Sequence, residues 1–394
     1  MPAQRVPAIA AAVQIMRDED VDVVFGCPGA ALLPLYTAME KAGGIEHLAV
    51  RHEEGAAHMA HGWARTSGTA GVAAVAAGPG ATRLVTGLYA ARQDAVPLVC
   101  ITGRAASGGS RRASGSLRQE AGRPPDLVRL AGPVTKRAER IEDPARIPGA
   151  FREAFRIARE GRPGPVLIDV PDDVAAAEIA QGSGADVWSP RAGCVRPQAV
   201  AGHADLGGLR VPAPWVLAEL TEILGTQTAT GTYVVSGSAG ACPADSADPR
   251  RHRIHGRNGP PGWELPAAIG VRKALDSRGE RAAEVVVVID GQGFPFLAED
   301  LATAARYDVP FVLIMLTEIH ADEFRTDPVR LAAAYGCAGR GVADPAELRS
   351  AVEWARREAV STRRPVLVEV RTGRGVRAPG GPVVDPGRGS ARGT

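Results

Sequence analysis

Two adjacent carboxylates, Glu53 and Glu54, stand where the hydropathy pattern of the chain changes. Leu48-Ala49-Val50 reads as a buried strand, and from Gly55 onward an Ala-rich helical pattern turns small residues inward. A carboxylate between a strand's C-terminal end and a helix's N-terminus lies in the crevice where open α/β sheets hold ligands. The helix dipole favours negative charge at the same place for a plainer, purely structural reason. The segment by itself gives the two readings even weight. His58 and His61, three apart on one helical face, have a spacing compatible with a metal pair. No third ligand is evident, which favours structural roles for both.

The elements that must position these residues alternate. A helix over 5–20 precedes the buried strand Val21–Phe25, the turn Gly26-Cys27-Pro28-Gly29 and a helix over Ala31–Ala42. Apolar runs at Gly71–Ala76, Pro97–Thr102 and Pro165–Val170 alternate with helical patterns at Ala81–Arg92 and Ile147–Glu160. Strands alternating with helices predict a parallel sheet covered on both faces. Residues 104–125 turn into Gly, Ser and Arg and read as a loop, and 179–211 lack periodicity and read as a linker. A second alternation follows, with a helix at Ala213–Leu224 and strands at Thr232–Ser236, Glu284–Ile289, Phe311–Leu316 and Val366–Val370. Helical patterns at Leu297–Tyr307, Pro328–Ala334 and Pro345–Ala359 separate the later strands. The expected organisation is therefore an α/β domain over 1–178, a linker over 179–211, a second α/β domain over 212–373, and a disordered tail over 374–394.

Composition narrows the class of function. At 394 residues, rich in Gly and Ala and only 4% aromatic, the chain suits two globular domains. A net charge of +2 gives no reason to expect a nucleic-acid or membrane surface. The five cysteines are scattered, with no CxxC pair, and fit a reducing compartment. The N-terminal residues lack a signal-peptide core, so a cytoplasmic location is expected. No Gly-x-Gly-x-x-Gly stands in the strand–turn–helix setting that a nicotinamide site requires.

Five blocks in order carry a resemblance: Phe25-Gly26-Cys27-Pro28-Gly29-Ala30-Ala31, Val50–Arg65, Ala77-Gly78-Pro79-Gly80-Ala81-Thr82, Leu98–Gly103 and Gly161–Pro171. This set resembles the pyrimidine-binding domain of thiamine diphosphate enzymes, in the acetohydroxyacid synthase and glyoxylate carboligase branch, over roughly residues 5–178. The resemblance implies two thiamine diphosphate-type doubly wound parallel-sheet domains, one for the pyrimidine and one for the diphosphate. It also implies that Glu53 is the glutamate that hydrogen-bonds the pyrimidine ring and favours its imino tautomer. The cofactor then carries the difficult chemistry: a small 2-oxo acid loses carbon dioxide and the remaining fragment joins a second carbonyl. Glyoxylate carboligase has an apolar residue where Glu53 falls, so here the chain is similar to the synthases. Pro28, Gly29, Pro79 and Gln119 match other pyrimidine-side positions, and Arg83 stands where relatives often carry Asn.

The diphosphate side departs from the family pattern. Gly256–Val271 resembles the segment leading to the helix beneath the diphosphate, with Gly237, Ser238, Gly262, Gly291 and Gln292 as further cofactor-binding candidates. Where relatives hold magnesium through a Gly-Asp-Gly and an Asn pair, this chain has Gly291 and Thr317-Glu318. Asp290 and Glu318 are the candidate replacement ligands for Mg²⁺, with Gln292 assisting; the plainer reading makes them turn residues. Cys242–Pro249 contains two prolines where relatives begin a helix, and Asp327-Pro328 leads straight to the next helix where relatives insert a lid. About thirty linker residues are too few for the flavin-bearing middle domain, so no FAD is expected. A homodimer or dimer of dimers is implied, each site shared between two chains. The alternative is a silent or repurposed relative acting as a partner subunit.

Overall fold

The computed structural model describes residues 5–105, 125–180, 214–225, 231–237, 251–256, 259–318 and 327–372. In chain order the first elements are β1 (Arg5–Pro7), α1 (Ala8–Asp18), β2 (Val23–Cys27), α2 (Leu33–Ala42), β3 (Glu46–Ala49), α3 (Glu53–Ser67) and β4 (Gly71–Ala76). They are followed by α4 (Leu84–Gln93), β5 (Leu98–Arg104), α5 (Leu127–Ala131), β6 (Arg137–Arg140), α6 (Ile147–Arg159), β7 (Pro165–Pro171), α7 (Asp172–Ala176) and β8 (Glu178–Ala180). The later elements are α8 (Pro214–Gly225), β9 (Thr232–Ser236), β10 (Arg251–His255), α9 (Glu264–Ser277), β11 (Glu284–Asp290), α10 (Asp300–Arg306) and β12 (Val312–Glu318). The last are α11 (Pro328–Ala334), β13 (Ala338–Val342), α12 (Leu348–Thr362) and β14 (Val366–Thr372).

Two six-stranded sheets result, both wholly parallel. Their orders are β3-β2-β4-β5-β7-β6 and β10-β9-β11-β12-β14-β13. Counted within each sheet, the two orders are the same, so one winding scheme is used twice. Both are the doubly wound α/β architecture that the alternating pattern predicts. The central strands are near-continuous apolar runs, such as Val285–Ile289 and Leu98–Ile101, because helices cover both faces. The edge strands β6 (RAER), β10 (RHRIH) and β13 (AGRGV) carry charge and glycine, and the hydropathy pattern does not reveal them. At the start of the chain, the helix expected over 5–20 gives way to β1, which pairs antiparallel with β8, and α1 begins only after Pro7. Proline lacks the N–H that an interior helical position donates, so it sits at the boundary.

By contacts, one compact unit comprises Met1–His203 with Gly256–Ala283, and the other comprises Ala204–His255 with Glu284–Thr394. The core of the first includes Phe151 and Phe155 on one face of α6, both fully buried with Val99, Ile101 and Ile168 in the same cluster. Removing either ring would leave a cavity costing about 3–5 kcal/mol. The core of the second gathers Val286, Ile314 and Val368 from adjacent strands with Leu348, Val352 and Ala355 of α12. Within the first unit α3 is enclosed, with 11 of its 15 residues buried, which explains its Ala and Gly content. An ideal Cβ on Gly62 would come 2.0 Å from Ala267 O, and one on Gly270 would come 1.8 Å from Met59 O. Helices α3 and α9 therefore meet backbone to backbone. The linker expected over 179–211 and the tail over 374–394 lie almost wholly outside the described residues.

Candidate active site

In each sheet the second strand in sequence lies outside the first, and the third lies on its other side. That reversal opens a crevice at the C-terminal ends of β2 and β4, and of β9 and β11, where open α/β sheets take ligands. The candidate residues fall on these loops. Pro28 and Gly29 follow β2, Pro79 follows β4, Gly237 follows β9, and Gly291 and Gln292 follow β11. Gln119 and Ser238 lie outside the described residues.

In the first unit α3 begins at Glu53, two residues before the Ala-rich pattern, so both glutamates lie in its first turn. His52 is the N-cap, and its side chain accepts from the Glu54 N–H. Glu53 is half-buried, and its carboxyl rests on the backbone of Gly80: an ideal Cβ there would lie 2.0 Å from Glu53 Oε1. Gly29 brings the loop after β2 onto the end of β4, where a Cβ would come 2.3 Å from the Cβ of Ala76. Gly80 thus lets the loop after β4 close on the carboxylate, and Gly29 packs the loop after β2 onto the end of that strand. Pro28 and Pro79 are exposed beside them.

Cys27, the last residue of β2, has its thiol pushed up by burial and then by the negative charge of Glu53. Tyr36 and His47 stack at 4.0 Å between ring centroids behind it. Their Oη and Nε2 would lie 2.7 and 2.6 Å from a Cβ on Gly26, which only glycine permits. Burial raises the Tyr36 phenol and lowers the His47 imidazole. The Tyr36 hydroxyl has no hydrogen-bond partner among the described residues, while the Gly26 backbone beside the His47 ring partly offsets the effect of its burial. Sequence reasoning missed this trio, and its one visible signal was the glycine inside an otherwise apolar strand.

His58 and His61 are fully buried, their rings 6.3 and 5.5 Å from that of Trp263 at the start of α9. Glu54 approaches His58 at 3.5 Å, and Asp94 approaches His61 at 3.6 Å. Arg65 engages the same Asp94 oxygen at 3.8 Å, and burial holds the His61 imidazole well below its ordinary value. Among the described residues no group of three or more His, Cys, Asp or Glu could hold a metal ion. These histidines are packing residues of the α3–α9 contact.

In the second unit the Gly291 N–H donates to Leu316 O at 2.8 Å, tying the turn after β11 to β12. A Cβ on Gly291 would meet the Thr317 hydroxyl at 3.2 Å. The register thus brings Asp290-Gly291-Gln292 beside Thr317-Glu318, as a shared ligand site requires. Asp290 Oδ1, however, accepts from the Gly293 N–H at 2.6 Å and closes the turn. Gln292 is exposed, and the Glu318 side chain lies outside what the structure describes. Gly262 belongs to the first unit, in the turn before α9, with φ +90°.

The first crevice offers an aminopyrimidine one half-buried carboxyl with which to share a proton. The second crevice offers fewer donors, because Mg²⁺ takes six oxygens and one oxygen of Asp290 is already engaged.

Residues 8–122 match the family described as thiamine pyrophosphate enzyme, N-terminal TPP binding domain, and residues 236–319 match its C-terminal TPP binding domain. The chain belongs to the thiamine pyrophosphate enzymes. It is 43% identical to glyoxylate carboligase of Escherichia coli O157:H7 over 173 residues, 44% of this chain and 28% of that protein. It is 42% identical to the acetolactate synthase large subunit of Lactococcus lactis subsp. lactis (strain IL1403) over 169 residues, 43% of this chain and 28% of that one. A longer alignment, 35% identical over 249 residues, covers 62% of the chain and 37% of the acetolactate synthase large subunit of Parasynechococcus marenigrum (strain WH8102). In these alignments the chain spans well under half the length of its relatives. Within this thiamine pyrophosphate enzyme, Glu53 and the glycines that bracket it fall inside the N-terminal match, and Gly291 and Glu318 fall inside the C-terminal one.

Proposed function

We propose that the chain is a thiamine diphosphate-dependent carboligase that decarboxylates a small 2-oxo acid and forms a carbon–carbon bond to a second carbonyl compound, as an acetolactate synthase does. The placement of Glu53 carries the reading: a half-buried carboxyl at a helix start, seated on Gly80 at the sheet's reversal point. When bound there, the cofactor supplies the carbanion chemistry that amino-acid side chains lack. The role of Glu53 is to hold and return a proton at the aminopyrimidine nitrogen. Pro28, Gly29 and Pro79 flank the ring, and Gln119 belongs to the same proposed site. Gly237, Ser238, Gly262, Gly291 and Gln292 are assigned to the cofactor's other end.

For Mg²⁺ the proposed ligands are the second oxygen of Asp290 and the carboxylate of Glu318. The proposed assembly is a homodimer or dimer of dimers, each site drawing one domain from each of two chains. No helix among the described residues is long and apolar enough to cross a membrane, and a cytoplasmic enzyme without FAD completes the reading. The engaged carboxylate of Asp290 favours a second reading, a silent relative that serves as a partner chain.

Carbon dioxide release from pyruvate, with cofactor and Mg²⁺ supplied to the full chain, tests the two. Release that disappears in Glu53→Gln supports the enzyme. Absence of both turnover and calorimetric cofactor binding up to millimolar concentration rejects it in favour of the silent relative.

A further inference from the structure

His52 meets more hydrogen-bond donors than it can satisfy. Its Nδ1 lies 3.3 Å from the Glu54 backbone nitrogen, and its Nε2 lies 2.6 Å from Arg83 Nη1. A neutral imidazole has one acceptor nitrogen and one N–H, and a guanidinium has donors only. Whichever tautomer the ring takes, one of these contacts sets donor against donor. An oxyanion would resolve the mismatch. Arg83 could then donate to it, the His52 Nε2–H could donate to it as well, and Nδ1 would keep the Glu54 N–H as the cap of α3.

The pair is positioned for a ligand of this site. Arg83 is exposed and ends the 3-10 turn Gly80–Arg83, whose first residue carries the Glu53 carboxyl. His52 immediately precedes Glu53. The two donors and the carboxyl therefore share one loop and one helix start.

We infer that His52 and Arg83 form a carboxylate-binding pair that selects a 2-oxo acid, rather than a neutral aldehyde, as the second, accepting substrate. This rests on the carboligase reading above. The chemistry decides which carboxylate is held. The first acid loses its carboxylate charge as carbon dioxide departs, so a cation fixed on that group would stabilise the ground state more than the transition state. The acceptor keeps its carboxylate throughout, and a guanidinium bound to it helps both states equally. Arginine is also suited to planar, two-point recognition of a carboxylate.

Two measurements on the full chain test the pair. In the first, pyruvate is the donor while 2-oxobutyrate and propanal compete as acceptors, and the two products are quantified. Arg83→Ala should lower the ratio of acid to neutral product about thirtyfold, the loss of one charge-assisted hydrogen bond. Arg83→Lys should recover part of it. His52→Asn keeps a good N-cap for α3 and should shift the ratio the same way. In the second, oxamate is titrated into the cofactor-free protein while the His52 imidazole resonances are followed by NMR. Binding should move them in the wild type and not in Arg83→Ala. An unchanged product ratio in both Arg83→Ala and His52→Asn overturns the pair and leaves the carboligase reading standing. If the wild type forms no product, the carboligase reading fails and oxamate decides the rest: Arg83-dependent binding upholds the carboxylate site, and no binding overturns it.

Discussion

Replacing Gly80 by alanine should damage catalysis while sparing the fold. The added methyl would stand 2.0 Å from Glu53 Oε1 and 2.6 Å from its Cδ, whereas real Cβ contacts lie beyond 3.0 Å. The carboxyl must therefore retreat by more than about 1 Å, a displacement that can cost on the order of a hundredfold in rate when a reacting group is misplaced. Stability should change little, because the clashing atoms are the far end of a flexible side chain and the φ of Gly80 is not in the left-handed region. The assay pairs carbon dioxide release from pyruvate with thermal unfolding, using Glu53→Gln as the benchmark. Gly80→Ala should approach the benchmark's rate and unfold within a few degrees of the wild type. Wild-type turnover in Gly80→Ala would refute the placement of the carboxyl, and a collapsed melting temperature would refute the flexibility of Glu53.

Two further outcomes follow from the same geometry. Gly270→Ala should destabilise the fold by about 1–3 kcal/mol or more, read as a lower urea midpoint with an unchanged slope. Its Cβ would strike the Met59 carbonyl at 1.8 Å, and backbone cannot swing away as a side chain can. The fully buried His61, held below its ordinary value by burial first and then by Arg65, stays neutral in the fold while the unfolded chain takes up a proton near pH 6.5. Stability should therefore be complete above about pH 6.5 and fall by up to ~1.4 kcal/mol per pH unit as the pH drops from there toward the folded value. His61→Gln should flatten that part of the profile between pH 7 and 5, as read by denaturant melts.

The candidate site was partly legible in the sequence because its parts are local. A strand ending in Cys27-Pro28-Gly29, a carboxylate at a helix start and the Gly-Pro-Gly turn are each short enough to recognise in order. The Cys27, Tyr36 and His47 cluster was not, because its members come from β2, α2 and β3 and meet only over Gly26. Nor could spacing reveal that Asp290 would spend one oxygen on the Gly293 N–H. An aspartate before a glycine-rich turn serves equally well as a ligand or as a turn former.

What the sequence determined by itself was the alternation. Apolar runs such as Val285–Ile289 must be central strands covered on both faces, since a chain cannot leave so many consecutive apolar groups in water. Only the tertiary structure decided which strands lie at the edges, because β6, β10 and β13 are polar and gain their hydrogen bonds from one neighbour each. It also decided that α3 and α9 touch through Gly62 and Gly270, and that the Glu53 carboxyl rests on Gly80. Contacts between residues far apart in the chain depend on how whole elements pack, and local propensity carries no record of that.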